Sequence, residues 1–163
     1  MDNYYDAISE GYEELHRDEQ EKKMSIILNE VKVTPNTTLL DVGCGTGITT
    51  RPWKCVRTGL DPAKKLLEKA HEKDKINYVH AKAEDIPFED NSFDVVTSVT
   101  AIQNFSDIKK GLNEIKRVGK KSFILTFLKK SPKHEQINNL IHEIFKVKKV
   151  IEEDKDMIYI CEK

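Results

Sequence analysis

Residues 39–50 read LLDVGCGTGITT, an apolar run followed by glycine at every second position. The apolar run at 38–42 predicts a short buried β-strand, and Gly43, Gly45 and Gly47 predict a loop at its carboxyl end. Glycine adopts positive φ and has no Cβ, so such a loop lets the backbone approach a ligand closely. The stretch therefore predicts an α/β protein with a site for a nucleotide-like ligand.

The rest of the chain alternates strands with helices. Strands are predicted at 54–60, 76–81, 93–99 and 121–128, helices at 2–16, 18–32, 107–118 and 133–145, and a terminal hairpin at 146–152 and 156–162. Such alternation indicates a largely parallel sheet covered on both faces, and the hairpin adds an antiparallel edge.

Two segments beside the glycines carry specific expectations. Pro52 limits the helix after the loop to a turn or two between Gly47 and Trp53. The next helix is predicted to open with Asp61 as its N-cap and Pro62 at its first position. Its expected buried stripe consists of Leu66, Leu67 and Ala70.

Length and composition predict one domain over residues 1–163, because a chain of this size buries a single core. The start of the chain lacks the pattern of a secretory signal, and the sequence has no apolar run of about 18 residues. We therefore expect a cytoplasmic protein that does not contact a membrane.

The cysteines and histidines lack metal-ligand spacing, so no metal site is expected. Charge is distributed unevenly: residues 1–108 hold 13 Lys/Arg and 20 Asp/Glu, whereas 109–163 hold 14 and 8. The basic C-terminal third is compatible with an RNA partner or with solvated helix ends and edge strands.

Two acidic residues narrow the range of ligands that the loop is expected to bind. Asp61, at the end of the second predicted strand, is placed to accept hydrogen bonds from ribose hydroxyls. Asp41 stands two residues before the first glycine, where it would repel a pyrophosphate and suits a cationic or zwitterionic ligand. This makes a nucleotide-dependent oxidoreductase less favoured.

The sequence at these positions resembles the class I S-adenosylmethionine (SAM)-dependent methyltransferases. The matching segments are 39–47, 59–61, 83–88 and 91–96. Residues 103–107 add similarity to one branch of the class, methyltransferase type 11, which contains the quinone-biosynthesis C-methyltransferases. The resemblance implies a Rossmann-like, doubly wound, seven-stranded sheet, mostly parallel with the C-terminal antiparallel hairpin and with helices on both faces. It implies SAM as the cofactor.

The resemblance also implies a set of cofactor-binding residues. They are Asp41, Gly43, Gly45, Thr46, Gly47, Asp61, Ala83, Glu84 and Ser98. Structural roles remain open for three of them: Asp41 as a cap of the loop, Glu84 as a turn residue, and Ser98 as a partner of strand-end backbone. Lys82 departs from the family pattern, because lysine cannot accept a hydrogen bond from the adenine amino group.

Methyl transfer from a sulfonium chiefly requires positioning of the acceptor, so the catalytic residue stays unassigned. In relatives the N-terminal helix folds over the cofactor, which makes residues 1–33 a candidate lid and Tyr5, Tyr12 and His16 weak candidates for a base. The expected activity is methyl transfer to a small molecule or RNA. The alternative is a SAM-binding partner or regulatory subunit without turnover of its own, and an activating protein partner fits either case.

Overall fold

The computed structural model describes residues 9–70 and 75–163, with side chains from residue 14 onward. Its first element is one continuous helix, α1 (Ser9–Glu30). The prediction of two helices, 2–16 and 18–32, is therefore wrong for the described part of this region. No glycine or proline stands between His16 and Gln20 to end a helix, so α1 continues through the expected break.

Seven strands form one mixed sheet. They are β1 (Thr38–Val42), β2 (Val56–Asp61), β3 (Asn77–His80), β4 (Phe93–Ser98), β5 (Gly119–Leu128), β6 (Lys146–Glu152) and β7 (Asp156–Glu162). Their spatial order is β3-β2-β1-β4-β5-β7-β6. The first five strands pair in parallel, and β7 runs antiparallel to both β5 and β6. This confirms the predicted fold class.

The order of the strands locates the ligand crevice. β1 pairs with β2 on one side and with β4 on the other, so the winding of the sheet reverses between β1 and β4. In open α/β sheets ligands bind beyond the carboxyl ends of the strands at this reversal. The glycine loop follows β1 directly and therefore lies at that position.

In the part of the chain that the structure describes, three further α-helices follow α1: α2 (Lys64–Glu68), α3 (Ile108–Val118) and α4 (His134–Ile144). The two faces of the sheet have separate hydrophobic clusters. Leu112 of α3 and Ile141 of α4 are buried on one face, whereas Met24 and Ile27 of α1 are buried on the other. Alternate residues of the central strands point to opposite faces, so each strand contributes to both clusters.

The helix after β2 differs from the prediction. α2 begins at Lys64, after Ala63, and its residues are all at least partly exposed. Leu66 is 39% exposed, so the predicted buried stripe of Leu66, Leu67 and Ala70 is wrong. The predicted N-cap is wrong as well, because Asp61 is the last residue of β2. Five residues are too few to carry an apolar stripe across the sheet.

Among the helices within residues 9–70 and 75–163, none combines the length and apolar character needed to cross a membrane.

Candidate functional site

The glycine loop owes its shape to three residues with positive φ. Gly43, Gly45 and Gly47 have φ values of +83°, +55° and +90°. The amides of Gly43 and Cys44 both donate to the Leu60 carbonyl, at 2.7 and 3.0 Å. The loop thus turns from the end of β1 over the end of β2.

The three glycines face different surroundings. A Cβ on Gly43 would lie 2.5 Å from the Ala101 Cβ, and one on Gly47 would collide with the Tyr78 hydroxyl. A Cβ on Gly45 would have the Leu66 Cδ1 as its nearest described neighbour, at 3.9 Å. Gly43 and Gly47 are therefore needed for packing within the protein, whereas Gly45 faces open space where a ligand can approach.

Asp61 binds the glycine loop through its carboxylate. The Gly45 amide donates to Oδ2 at 2.9 Å, and the Ala63 amide donates to Oδ1 at 2.8 Å. The residue is 7% exposed. Each carboxylate oxygen has two lone pairs, so one acceptor position on each remains for a ligand hydroxyl.

Asp41 is fully buried and accepts hydrogen bonds from three threonine hydroxyls. Thr49 and Thr50 donate to Oδ2 at 2.8 and 2.7 Å, and Thr97 donates to Oδ1 at 3.0 Å. Burial raises the pKa of Asp41, and the hydroxyl donors oppose that rise. This carboxylate joins β1, β4 and the turn after the glycines, as expected for a cap of the loop.

The segment after β3 is attached to α3 and to its N-cap, Asp107, by hydrogen bonds between carboxylates and backbone amides. Glu84 is 7% exposed and its Oε2 accepts from the Asp107 amide at 2.9 Å. Glu114 accepts from the Ile86 amide at 3.0 Å. Ala83 is buried beside these contacts, whereas Lys82 is exposed.

Arg117 completes this attachment. Its guanidinium donates to the carbonyls of Ile86 and Phe88, at 2.9 and 2.8 Å, and to both carboxylate oxygens of Glu114 at 2.8 Å. The bidentate pair with Arg117 lowers the pKa of Glu114. The sequence contains no local signal for this role, because Arg117 lies about 30 positions after the segment that it holds.

The remaining predicted residues lie around the same crevice. Ser98 is fully buried and its hydroxyl donates to the Val42 carbonyl at 2.8 Å, so it satisfies strand-end backbone as one of the two interpretations expects. Thr46 is partly exposed and its carbonyl accepts from Arg51 at 2.8 Å.

The N-terminal half of α1 extends past the carboxyl edge of the sheet. Lys22 and Lys23 form ion pairs with Asp154 and Asp156, at the turn between β6 and β7. This turn lies at the carboxyl edge, because β7 begins where β5 ends. The last residue of α1, Glu30, pairs with Lys149 in the middle of β6, so α1 runs back along the sheet from this turn and its residues before Lys22 extend beyond the strand ends.

A groove separates this part of α1 from the segment after the glycine loop. Its volume is about 390 Å³, and its lining comprises Arg17, Glu21, Ile48, Arg51 and Pro52.

The structure describes the three candidate bases to different extents. His16 is exposed on α1. Tyr12 belongs to α1, but its side chain lies outside the description, and Tyr5 lies outside the described residues altogether. Their predicted roles stay predictions.

The geometry is that of an α/β protein with a nucleotide-like ligand site at the β1–β4 reversal, and comparison with known proteins gives the family. Residues 40–127 match the family described as "Methyltransferase domain". The chain belongs to this methyltransferase family, which confirms the resemblance inferred from the motifs.

Relatives with assigned names agree with the family. The chain is 33% identical to the ubiquinone/menaquinone biosynthesis C-methyltransferase of Geotalea daltonii, over 86% of this chain and 68% of that protein. It is 36% identical to the demethylmenaquinone methyltransferase of Staphylococcus aureus, over 64% of this chain and 48% of that enzyme. A Methanocaldococcus jannaschii protein of unassigned function is 32% identical over 76% of this chain. The chain spans about half the length of the staphylococcal and Methanocaldococcus relatives.

Solved structures share the fold. A protein assigned as a methyltransferase, in complex with the Haloferax volcanii methyltransferase activator Trm112, superposes with a TM-score of 0.79 at 18% identity, over 97% of this chain and 96% of that one. A SAM-dependent methyltransferase from Aquifex aeolicus gives a TM-score of 0.72 at 18% identity, over 90% of this chain and 97% of that one.

Proposed function

We propose that the protein is a SAM-dependent methyltransferase that transfers a methyl group to a small molecule or to RNA. The observation that carries the proposal is the open surface of the backbone at Gly45, beside the partly occupied carboxylate of Asp61. A ligand with a ribose fits there, since the backbone can be approached and acceptor positions remain for its hydroxyls.

The residues present fit SAM in three places. Asp61 would accept from the ribose hydroxyls, and the partly exposed backbone of Gly43, Gly45 and Thr46 would lie along the sugar and the methionine part. The buried segment that begins with Ala83 and Glu84 would border the adenine. Lys82 provides no acceptor for the adenine amino group, so backbone carbonyls would take that role.

Asp41, Gly47 and Ser98 act on the site from inside the protein in this proposal. Their polar groups or packing surfaces are already engaged with the protein, and they fix the loop and the strand ends.

SAM supplies an already activated methyl group, so the chain has to hold the acceptor in line and exclude water. Oriented approach of this kind lowers the activation barrier of the transfer by about 7 to 11 kcal/mol. In our proposal residues 1–163 act as one domain, with residues 1–33 as the lid that closes over the crevice. The groove between α1 and the segment after the glycine loop is the candidate entry for the acceptor.

A calorimetric titration with SAM and with NAD tests the cofactor. Binding of SAM without binding of NAD supports the proposal, whereas the reverse result would contradict it and favour a nucleotide-dependent oxidoreductase. A second assay then combines the purified chain and labelled SAM with two fractions of a cell extract. One fraction is freed of all protein, and the other contains the proteins of the extract.

The same assay separates an independent enzyme from one that needs a partner. Transfer of label to the protein-free fraction indicates a small-molecule or RNA acceptor, and ribonuclease treatment distinguishes these two. Transfer to a non-protein acceptor that requires the protein fraction supports an activating partner, a possibility raised by the fold shared with the Trm112-bound protein. SAM binding with no transfer in either fraction supports a regulatory subunit.

A further inference from the structure

A buried polar cluster joins α1, the end of β4 and the terminal hairpin, next to the glycine loop. Its members are Lys23, Thr100, Thr126 and Asp156. Lys23 is 2% exposed, and both Thr126 and Asp156 are fully buried. These residues are distant in sequence and were not anticipated by any motif.

Thr100 holds a strained backbone conformation at the centre of this cluster. Its φ is +56°, in the left-handed region that β-branched residues rarely adopt. Such a conformation costs about 1 to 3 kcal/mol and persists only where its surroundings fix it. Strain of this kind is concentrated at functional sites, so the contacts that maintain it are informative.

Every polar group of Thr100 is engaged. Its backbone amide donates to the Thr126 hydroxyl at 2.8 Å, and its carbonyl accepts from the side-chain Nε2 of Gln103 at 2.9 Å. Its hydroxyl donates to Asp156 Oδ2 at 2.7 Å and accepts from the Lys23 ammonium at 2.6 Å. Lys23 also pairs with Asp156 Oδ1 at 3.1 Å.

The cluster adjoins the glycine loop through the next residue. Ala101 follows Thr100, and a Cβ on Gly43 would lie 2.5 Å from the Ala101 Cβ. The Ala101 methyl therefore packs directly against the Gly43 backbone. If Thr100 relaxed to negative φ, Ala101 would move and the loop would lose the surface that supports it.

A buried ion pair is weak evidence for stability, because desolvation of both charges offsets their attraction. What such a pair does provide is a defined geometry for the groups that it contacts. Here the groups are the hydroxyl of a strained residue and, through Ala101, the loop proposed to bind the cofactor.

We infer that Lys23 and Asp156 are positioning residues for the cofactor site: they hold Thr100 in its left-handed conformation and thereby keep Ala101 against Gly43. The inference rests on the proposed function, since it assumes that the glycine loop binds SAM. It adds to that proposal a link from α1 and the hairpin to the loop.

The test measures SAM affinity by calorimetry for paired variants. Thr100→Val keeps the shape of the side chain but loses the hydroxyl, whereas Thr100→Ser retains the hydroxyl. We expect Thr100→Val to weaken SAM binding about tenfold, or about 1.4 kcal/mol, and Thr100→Ser to restore binding to near the wild-type value. Circular dichroism confirms that each variant is folded at the assay temperature.

Lys23→Met has a matched control in Lys22→Met. Lys22 precedes Lys23 on the same helix and forms an exposed ion pair with Asp154 in the same hairpin turn, whereas it is Lys23 that contacts the Thr100 hydroxyl. We expect Lys23→Met to weaken SAM binding to the same extent as Thr100→Val, and Lys22→Met to leave it unchanged.

The outcomes separate the inference from the proposed function. If the wild-type protein does not bind SAM, the proposed function fails and the inference fails with it. If the wild type binds SAM and Thr100→Val is folded with unchanged affinity, the cluster is merely structural and the inference alone is overturned. Should Lys23→Met not fold, the two Thr100 variants still decide.

Discussion

Single residues in the glycine loop have separable effects on stability and on ligand binding. Gly43 and Gly47 are closed in by Ala101 and Tyr78, whereas Gly45 faces open space beside Leu66. All three have positive φ, so any side chain at these positions introduces strain. Only at Gly45 does the added side chain avoid close contact with the protein.

Gly45→Ala is therefore expected to abolish cofactor binding at a small cost in stability. The left-handed conformation costs about 1 to 2 kcal/mol for alanine, and the new methyl group occupies the surface where the ligand approaches. Urea unfolding and SAM titration of Gly45→Ala and Gly43→Ala provide the comparison. Gly43→Ala should lose more stability, and full SAM affinity in Gly45→Ala would contradict the placement of the ligand.

The burial of Asp41 should make the free energy of unfolding depend on pH. Burial raises the pKa of its carboxyl above the ordinary value of 3.8, so the folded protein binds the proton more tightly than the unfolded chain. The stabilisation is complete below pH 3.8 and is lost as pH rises through the folded pKa. The free energy of unfolding of the wild type should therefore fall with pH, relative to Asp41→Asn.

Urea unfolding of both proteins between pH 4 and pH 8 tests this expectation. A difference in stability that stays constant over the range would mean that Asp41 titrates in the folded protein as it does in the unfolded chain.

At the scale of elements, local sequence predicted what local interactions decide. The bounds of β1, β6 and β7 agree with the predictions, because strand periodicity and turn residues lie within those segments. The sequence predicts a break in α1 where no helix-breaking residue stands, and it predicts an N-cap for α2 at Asp61, which is the last residue of β2. Asp61 instead accepts hydrogen bonds from the amides of Gly45 and Ala63, so its role depends on the neighbouring glycine loop and not on the helix.

Roles that depend on distant partners were not predictable. Lys23 and Asp156 read as ordinary charged residues in sequence, yet they are buried together. Arg117 likewise acts on a segment about 30 positions earlier. Pairings across the fold arise only once the sheet order is set, and a single sequence does not contain that order explicitly.

Arg117 allows a test of the segment after β3, which we propose borders the adenine. Arg117→Lys keeps the charge but loses the fork that contacts Glu114 together with the Ile86 and Phe88 carbonyls. We expect the free energy of unfolding to fall by about 1 to 3 kcal/mol and SAM binding to weaken. Lys120→Ala, which removes an exposed pair with Asp94 at 3.7 Å, serves as the control and should change stability by less than about 0.5 kcal/mol. Equal stability of Arg117→Lys and wild type would show that this attachment is dispensable.

The lid proposal concerns the N-terminal half of α1. Leu15 is 59% exposed there, an apolar side chain above the crevice. We expect SAM to slow amide exchange in residues 9–20 while leaving α4 unchanged, and Tyr5→Ala or Tyr12→Ala to weaken SAM binding and turnover. Unchanged exchange, with unchanged affinity and turnover in both variants, would remove the lid from the account.

At the scale of the whole molecule, the fold and the family are assigned, and the site that we propose lies where the sheet order reverses. The seven-stranded order brings the glycine loop, Asp61 and the end of β4 to one edge. The N-terminal half of α1 and the β6–β7 turn also stand at this edge, so elements from both ends of the chain meet the site. This arrangement explains how residues as distant as Lys23 and Asp156 can influence one loop.

The most direct test of the central claim is a calorimetric titration of the wild-type protein with SAM, with NAD titrated in parallel. Our account predicts saturable binding of SAM with one site per chain and no binding of NAD. Because the ligand binds the folded state, saturating SAM should also raise the unfolding midpoint, by the equivalent of about 2.7 kcal/mol at 100 times the dissociation constant. Absence of SAM binding by the folded protein would contradict the account.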